Sequence, residues 1–244
     1  LREEVDGAEL ESLAMEHNIP LERTRCAMLM HLQNVDTETA MNILENVVPE
    51  NGSDAIVEVD RHTVVLIKSI DEQSDYEEIE QLGLAIENTF VSETSHSIYI
   101  GVGEPKRNLS QLGESFREAR KAIDVGRTYR SESRVFVYRK LLLERFLADV
   151  PKEMSLRYNA MMFNRKTARL FNDEMIHTIE KFFEKSLNLS ETARQLYIHR
   201  NTLVYRLDKV QRIIGLDLRA FDDAVTFKMM MLLGKSGNEK TRGR

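Results

Sequence analysis

The sequence predicts an α+β fold, an antiparallel or mixed sheet with helices on its faces, followed by an all-α module. Three observations predict it. Up to Tyr138, strand-length apolar and β-branched runs alternate with helical spacings in the order β-α-β-β-α-β-α-β. Two of those runs, Ala55 to Val59 and Thr63 to Ile70, are separated only by Asp60-Arg61-His62, the spacing of a hairpin. Beyond Tyr138 every periodic stretch is helical.

In chain order, Leu10, Leu13 and Ala14 recur at helical spacing between Asp6 and His17, and Asn18-Ile19-Pro20 stops that entry helix. Arg25 to Leu32 is a short apolar run. Thr37 to Val47 reads as a helix started by Asp36 and ended before Pro49. Tyr76 to Val91 is a helix with Ile79, Leu82, Ala85, Ile86 and Phe90 on one side. His96 to Val102 is a strand, Ser110 to Tyr129 a long helix capped by Ser110, and Arg134 to Tyr138 a final strand. Six helices follow, at Lys140 to Asp149, Leu156 to Arg169, Asp173 to Lys185, Glu191 to Tyr197, Arg200 to Ile213 and Asp222 to Leu233.

Composition sets the class. The 244 residues are 42% hydrophobic and 30% charged, with Gly 11 and Pro 4, which suits a folded chain and excludes collagen, low complexity and wholesale disorder. A single cysteine, Cys26, excludes an internal disulfide and any thiolate metal cluster, and points to a reducing compartment, the cytoplasm. No apolar run approaches the roughly 18 residues of a membrane span. The chain starts at Leu1 in a helix-like acidic stretch with no start signal, so it reads as a piece whose upstream part is missing.

The net charge of −6 is unevenly spread. Ser186 to Ile214 holds five basic residues (Arg194, Arg200, Arg206, Lys209, Arg212) against two acids (Glu191, Asp208), so this stretch is +3 and the rest is −9. Such asymmetry is the footprint of a polyanion contact on a non-basic body. The same stretch reads as two short helices joined by a tight turn, with Ser190 as N-cap, Ala193 at a close helix crossing and Leu196 and Ile198 facing the core. In the second helix Leu203, Leu207, Val210 and Ile214 form one inner stripe. Its outer face presents Asn201, Thr202, Tyr205, Lys209 and Arg212, with Arg200 and Arg206 on the flanks. Asn matches an adenine edge, Arg a guanine edge or phosphate, and Lys a phosphate, and a recognition helix enters the major groove by its N-terminal turns. Asp208 would be repelled by phosphate and belongs beyond the contact. Tyr197 stands at the turn position that helix-turn-helix motifs often give to glycine, and a bulky side chain resists positive φ, so a different turn type is expected.

The run Ile198-His199-Arg200-Asn201-Thr202-Leu203-Val204-Tyr205-Arg206-Leu207, followed by Gly215-Leu216-Asp217-Leu218 and Phe221-Asp222-Asp223, resembles the C-terminal helix-turn-helix of the carbohydrate-diacid regulator and purine-catabolism regulator family of bacterial transcription factors. An aromatic at Tyr197 is usual in its diacid branch. The upstream part resembles that family's cyclase-like (GGDEF-like) domain, with Ser131 to Tyr138 as its closing strand. The resemblance implies an entry helix or linker at 1–19, a degenerate GGDEF-like domain at 20–138, a helical connector at 139–172, the helix-turn-helix at 173–234 and a flexible tail at 235–244. It also implies double-stranded DNA as partner, read by Arg200, Asn201, Thr202, Tyr205 and Arg206, to which the outward-facing Lys209 is expected to add a phosphate contact. A sugar-diacid effector is expected on a missing N-terminal domain, and a homodimer or larger oligomer is expected because one helix makes too few contacts.

Enzyme readings fail on residues. A diguanylate cyclase would carry Gly-Gly-Asp/Glu-Glu-Phe at the hairpin tip, where this chain has Val59-Asp60-Arg61-His62-Thr63, and a metal carboxylate after the first strand, where it has His31-Leu32-Gln33-Asn34. Gly101-Val102-Gly103 breaks the dinucleotide pattern at Lys106 and reads as a turn. The six histidines show no ligand spacing and read as surface or capping residues. No catalytic residue, cofactor or metal is expected. The alternative to DNA binding is a regulatory module whose helical end docks a protein partner, and a third reading is a cyclase-derived nucleotide-binding domain.

Overall fold

The apolar run Arg25 to Leu32 is the middle of a sheet. All of it but Leu32 lies in β1 (Glu22–His31), which pairs antiparallel with β3 (Thr63–Ser69), β4 (Tyr99–Val102) and the short β5 (Lys106–Asn108). β2 (Ala55–Asp60) extends the sheet beyond β3, and β6 (Val135–Val137) lies parallel to β4, giving the order β2-β3-β1-β4-β6. The sheet is therefore mixed. Both faces of the middle of β1 are covered, so Cys26 to Met30 are apolar without alternation. Cys26, Met28 and Met30 point into a core with α2 (Thr37–Val47) and α3 (Tyr76–Thr94), while Ala27 and Leu29 point into a second core under α4 (Leu112–Tyr129).

The computed structural model describes residues 7–17, 19–48, 53–70, 76–130 and 132–237, and the chain divides into two units, Leu1–Arg145 and Phe146–Arg244. The entry helix is α1 (Gly7–Glu16); the part of it expected before Gly7 lies outside the described residues, as do 238–244 of the expected tail. Asp36 caps α2 as its sequence suggests, accepting from the Thr39 N–H at 2.8 Å.

Several local readings are corrected. On α3 it is Gly83, not Ala85, that is buried beside Ile79, Ile86 and Phe90; Ala85 is exposed. Ser110 does not cap the long helix: Asn108 accepts from the Ser110 N–H at 2.9 Å and starts a 3₁₀ turn, Leu109–Gln111, that leads into α4. Gly101-Val102-Gly103 is not a turn but a track for α4. A Cβ on Gly101 would sit 2.0 Å from the Ala119 carbonyl oxygen, and one on Gly103 1.9 Å from that of Ser115. The Ser115 hydroxyl accepts from the Ala27 N–H at 3.0 Å, fastening the helix to β1. β5 escaped the sequence reading because Lys106, Arg107 and Asn108 carry no apolar signal.

The second unit is helical: α6 (Lys152–Met162), α7 (Asp173–Glu184), α8 (Leu189–Gln195), α9 (Arg200–Ile214) and α10 (Phe221–Gly237), after α5 (Leu142–Ala148), on which the division falls. The helix expected at Leu156 to Arg169 is displaced toward the N-terminus. It starts after Pro151, which suits a helix start, and it ends where the Thr167 hydroxyl donates to the Met162 carbonyl and closes a turn. α10 continues through Gly237, past the Lys235 at which the sequence places the start of the tail. The core gathers Phe182, Leu203, Leu207, Val210 and Phe227, with Phe163 and Phe171 packed on Phe227 at ring separations of 5.4 Å.

Candidate nucleic-acid interface

α9 starts because His199 stands before it in extended backbone and its Nδ1 accepts from the Asn201 N–H at 3.2 Å. It ends because Gly215 takes φ +81, a left-handed position that glycine enters without a Cβ penalty. Leu203, Leu207 and Val210 are fully buried and Ile214 is half-buried, so the inner stripe holds. Arg200, Asn201, Thr202, Tyr205 and Lys209 are all exposed on the other side. From Asn201 to Lys209 the exposed face is about 12 Å long, at 1.5 Å per residue.

α8 is capped by Asn188, which accepts from the Glu191 N–H at 3.1 Å; Ser190, expected in that role, already lies inside the helix. Thr192 and Ala193 are buried where α8 meets α9. The turn between them corrects the expectation for Tyr197. Its φ is +54, so the tyrosine does occupy the left-handed position, and its side chain is 97% exposed. The turn is held by Tyr197 N–H donating to the Arg194 carbonyl at 3.2 Å and Ile198 N–H to that of Ala193 at 3.0 Å.

Arg206 does not share the open placement of the others. Its Nη1 donates to the Thr178 hydroxyl on α7 at 2.7 Å, its Nη2 pairs with the Glu174 carboxylate, and its side chain is only 19% exposed. Asp208 is occupied by Arg219, which reaches its Oδ1 at 2.9 Å, so the repulsive charge on this face is neutralised from the loop after α9. Arg219 also binds Asp217 at 2.7 Å and holds that carboxyl below the usual carboxylate range. A recess of about 240 Å³ between the start of α7 and α9 is lined by Thr202, Tyr205 and Lys209 and, across from them, by the exposed Arg169. The sequence reading missed Arg169. The only signal was a basic residue just before a helix start, and nothing local says that the helix packs beside α9.

In the first unit, Arg61 and His62 form the tight turn of the β2–β3 hairpin, with Asp60 Oδ1 accepting from the His62 N–H at 2.9 Å. No glycine stands at that tip, and His31 ends β1 where a metal carboxylate would be needed. Among the described residues no three His, Cys, Asp or Glu side chains are grouped to hold a metal ion, and no helix is long and apolar enough to cross a membrane.

Two helices joined by a tight turn, the second with a buried stripe and an exposed polar face, define a helix-turn-helix protein carrying a mixed-sheet α+β domain. The comparisons with known proteins say which. Residues 175–233 match the PucR C-terminal helix-turn-helix domain and residues 2–125 match the GGDEF-like domain, and the chain belongs to the family of regulators that carries them. It is 28% identical over 138 residues to the purine catabolism regulatory protein of Bacillus subtilis (strain 168), covering 56% of this chain and 26% of that protein. It is 30% identical over 134 residues to the carbohydrate diacid regulator of Escherichia coli (strain K12), covering 55% and 35%. It is 24% identical over 222 residues to the proline-responsive transcriptional activator PutR of Bacillus subtilis (strain 168), covering 85% and 53%. The chain thus spans between about a quarter and about a half of the length of these relatives.

Proposed function

We propose that this chain is the DNA-reading part of a cytoplasmic transcription regulator. The observation that carries the reading is the face of α9: Arg200, Asn201 and Thr202 stand exposed in its first turn, with Tyr205 and Lys209 further along, above a fully buried Leu203, Leu207 and Val210. In this reading Asn201 pairs with a base edge, Arg200 and Thr202 reach bases or the adjoining phosphates, and Tyr205 and Lys209 bind the backbone as the helix leaves the groove. Arg206 orients the helix from α7 rather than touching DNA. Tyr197, beside the start of α9, adds a phosphate contact from the turn.

The regulator works as a homodimer or larger assembly, because two helices spaced by about 34 Å read two half-sites and one alone gives too little specificity. The genes controlled are those of sugar-diacid utilisation; the identity to the carbohydrate diacid regulator supports this choice. The first unit, with Asp60-Arg61-His62 at its hairpin tip, does no cyclase chemistry.

The test is a gel-shift titration of the chain against operator and random duplex DNA at low and moderate salt. A slope of log affinity against log salt reflecting several phosphate contacts is expected. No binding, or binding without a salt slope, favours a protein-docking module instead.

A further inference from the structure

The sheet face that carries α4 is not covered evenly. α4 packs over β4, β1 and β6, and between it and the β2–β3 hairpin runs a cleft of about 640 Å³. Its floor is apolar and mostly buried: Leu29 on β1 and Phe116 and Ile123 on α4, at 4%, 8% and 4% exposure. Its α4 wall carries Arg117, Arg120 and Arg127 at i, i+3 and i+10, a row about 15 Å long. All three are exposed, and no carboxylate among the described residues pairs with them. Arg127 lies 4.7 Å from the centroid of the Tyr99 ring, a stack that fixes the guanidinium plane while leaving its N–H donors to point elsewhere. His31, at the end of β1, and His62, in the hairpin turn, also line the cleft. Asp60 and Asp124 also line the cleft, so the cations outnumber the carboxylates without overwhelming them.

We infer that this cleft is a binding site for a small organic dianion, a dicarboxylate or a phosphate monoester, held without a metal. Planar guanidinium groups along one wall suit a doubly charged oxyanion, two carboxylates or one phosphate, and the apolar floor suits the carbon body that carries it. The site rests on unit-one residues only, so it stands apart from the reading of α9. The surroundings of His31 agree with an electropositive site: burial, then Arg127 and His62, hold its imidazole below the ordinary histidine value despite Asp124 and Asp60. A DNA backbone would satisfy the arginines and leave the concave apolar floor unused.

The experiment is calorimetric titration of the chain, at constant ionic strength and with chelator present, with glutarate, phenyl phosphate, propionate and inorganic phosphate. One of the two organic dianions is expected to bind saturably at one per chain, at least tenfold more tightly than propionate or inorganic phosphate; which one does so identifies the acidic group. The exposed double variant Arg117→Gln/Arg120→Gln, with its fold confirmed by circular dichroism, is expected to lose at least tenfold in that affinity and nothing in DNA affinity. Absence of saturable binding by both dianions overturns the inference. So does binding that the double variant leaves intact, inorganic phosphate binding as tightly as the best dianion, or a double variant that weakens DNA binding alone.

Discussion

Arg206 on α9 donates to the Thr178 hydroxyl on α7 at 2.7 Å, and the same hydroxyl donates onward to the Glu174 carbonyl at 2.8 Å. Since Arg206 also pairs with the Glu174 carboxylate, one guanidinium ties α9 to a neighbouring helix through two different groups. Replacing it by methionine keeps the stem and removes both ties. A hydrogen bond from a charged group is worth roughly 1.5–3 kcal/mol, and the largely exposed Glu174 lowers the ion-pair share, so Arg206→Met should cost the helical unit about 1–2 kcal/mol. The salt slope of DNA binding should stay unchanged. An unchanged melting temperature with a slope reduced by about one would place Arg206 on a phosphate instead.

Leu203 is fully buried in the middle of the helical core, and its truncation to alanine should cost about 2–5 kcal/mol. Cys26 reports separately on the other unit. It is fully buried in β1, and burial pushes its thiol up to about 12, so it should resist alkylation at pH 8 until the first unit opens. In Leu203→Ala the helical unit should melt earlier while the labelling rate of Cys26 stays that of the parent chain. Equal acceleration of both would mean that the two units unfold as one block.

Cys26 also makes an alkaline prediction. Its folded pKa lies above its unfolded value near 9, so the unfolded chain releases this proton first. The stabilisation is therefore complete below about pH 9 and declines as the pH rises toward 12. The urea midpoint of the first unit should fall between pH 9 and 11, and Cys26→Ala should be less sensitive over that range. Parallel profiles for parent and variant would assign the decline to other groups.

Much of this architecture could be read from the chain, for identifiable reasons. Asp36 before Thr37 is a cap with its acceptor already in place, and the alternation around Asp60-Arg61-His62 allows only a hairpin. The inner stripe of α9 followed from spacing alone. What escaped depended on partners distant in sequence. Gly101 and Gly103 looked like a turn because Ala119 and Ser115, which need their missing side chains, come much later. Arg206 looked like its neighbours because Thr178 and Glu174 lie a full helix away. Asn188 and Asn108 outcompeted Ser190 and Ser110 as caps by starting their helical turns earlier, a choice that short-range propensity leaves open.

Tyr197 holds φ +54 with almost its entire side chain in solvent. A non-glycine residue in the left-handed region costs on the order of 1 kcal/mol or more, and here no packing contact offsets it. Tyr197→Gly should therefore raise the stability of the helical unit by a few tenths to about 1 kcal/mol, the added backbone freedom of the unfolded chain cancelling part of the relief. If the ring is retained for contact with the DNA backbone, the same variant should bind both operator and random DNA less tightly. A variant more stable and equally active would leave the tyrosine without a role in binding.

The sharpest division falls between Asn201 and Lys209 on one helix. Both are exposed, but Asn201 lies in the first turn, next to the His199 cap, while Lys209 lies two turns further along, where a recognition helix rises from the groove floor toward the backbone. A carboxamide at the first position can pair with an adenine edge, so Asn201→Ala should cost about 1–3 kcal/mol on the operator and little on random DNA. An ammonium at the second position is proposed to meet phosphate, so Lys209→Ala should weaken both DNAs alike and flatten the salt slope by about one. A helix whose face is only solvated would show neither effect, and a non-specific polyanion binder would show the second alone. Equal losses on both DNAs for Asn201→Ala would remove base reading from that position and leave α9 as a backbone-binding helix.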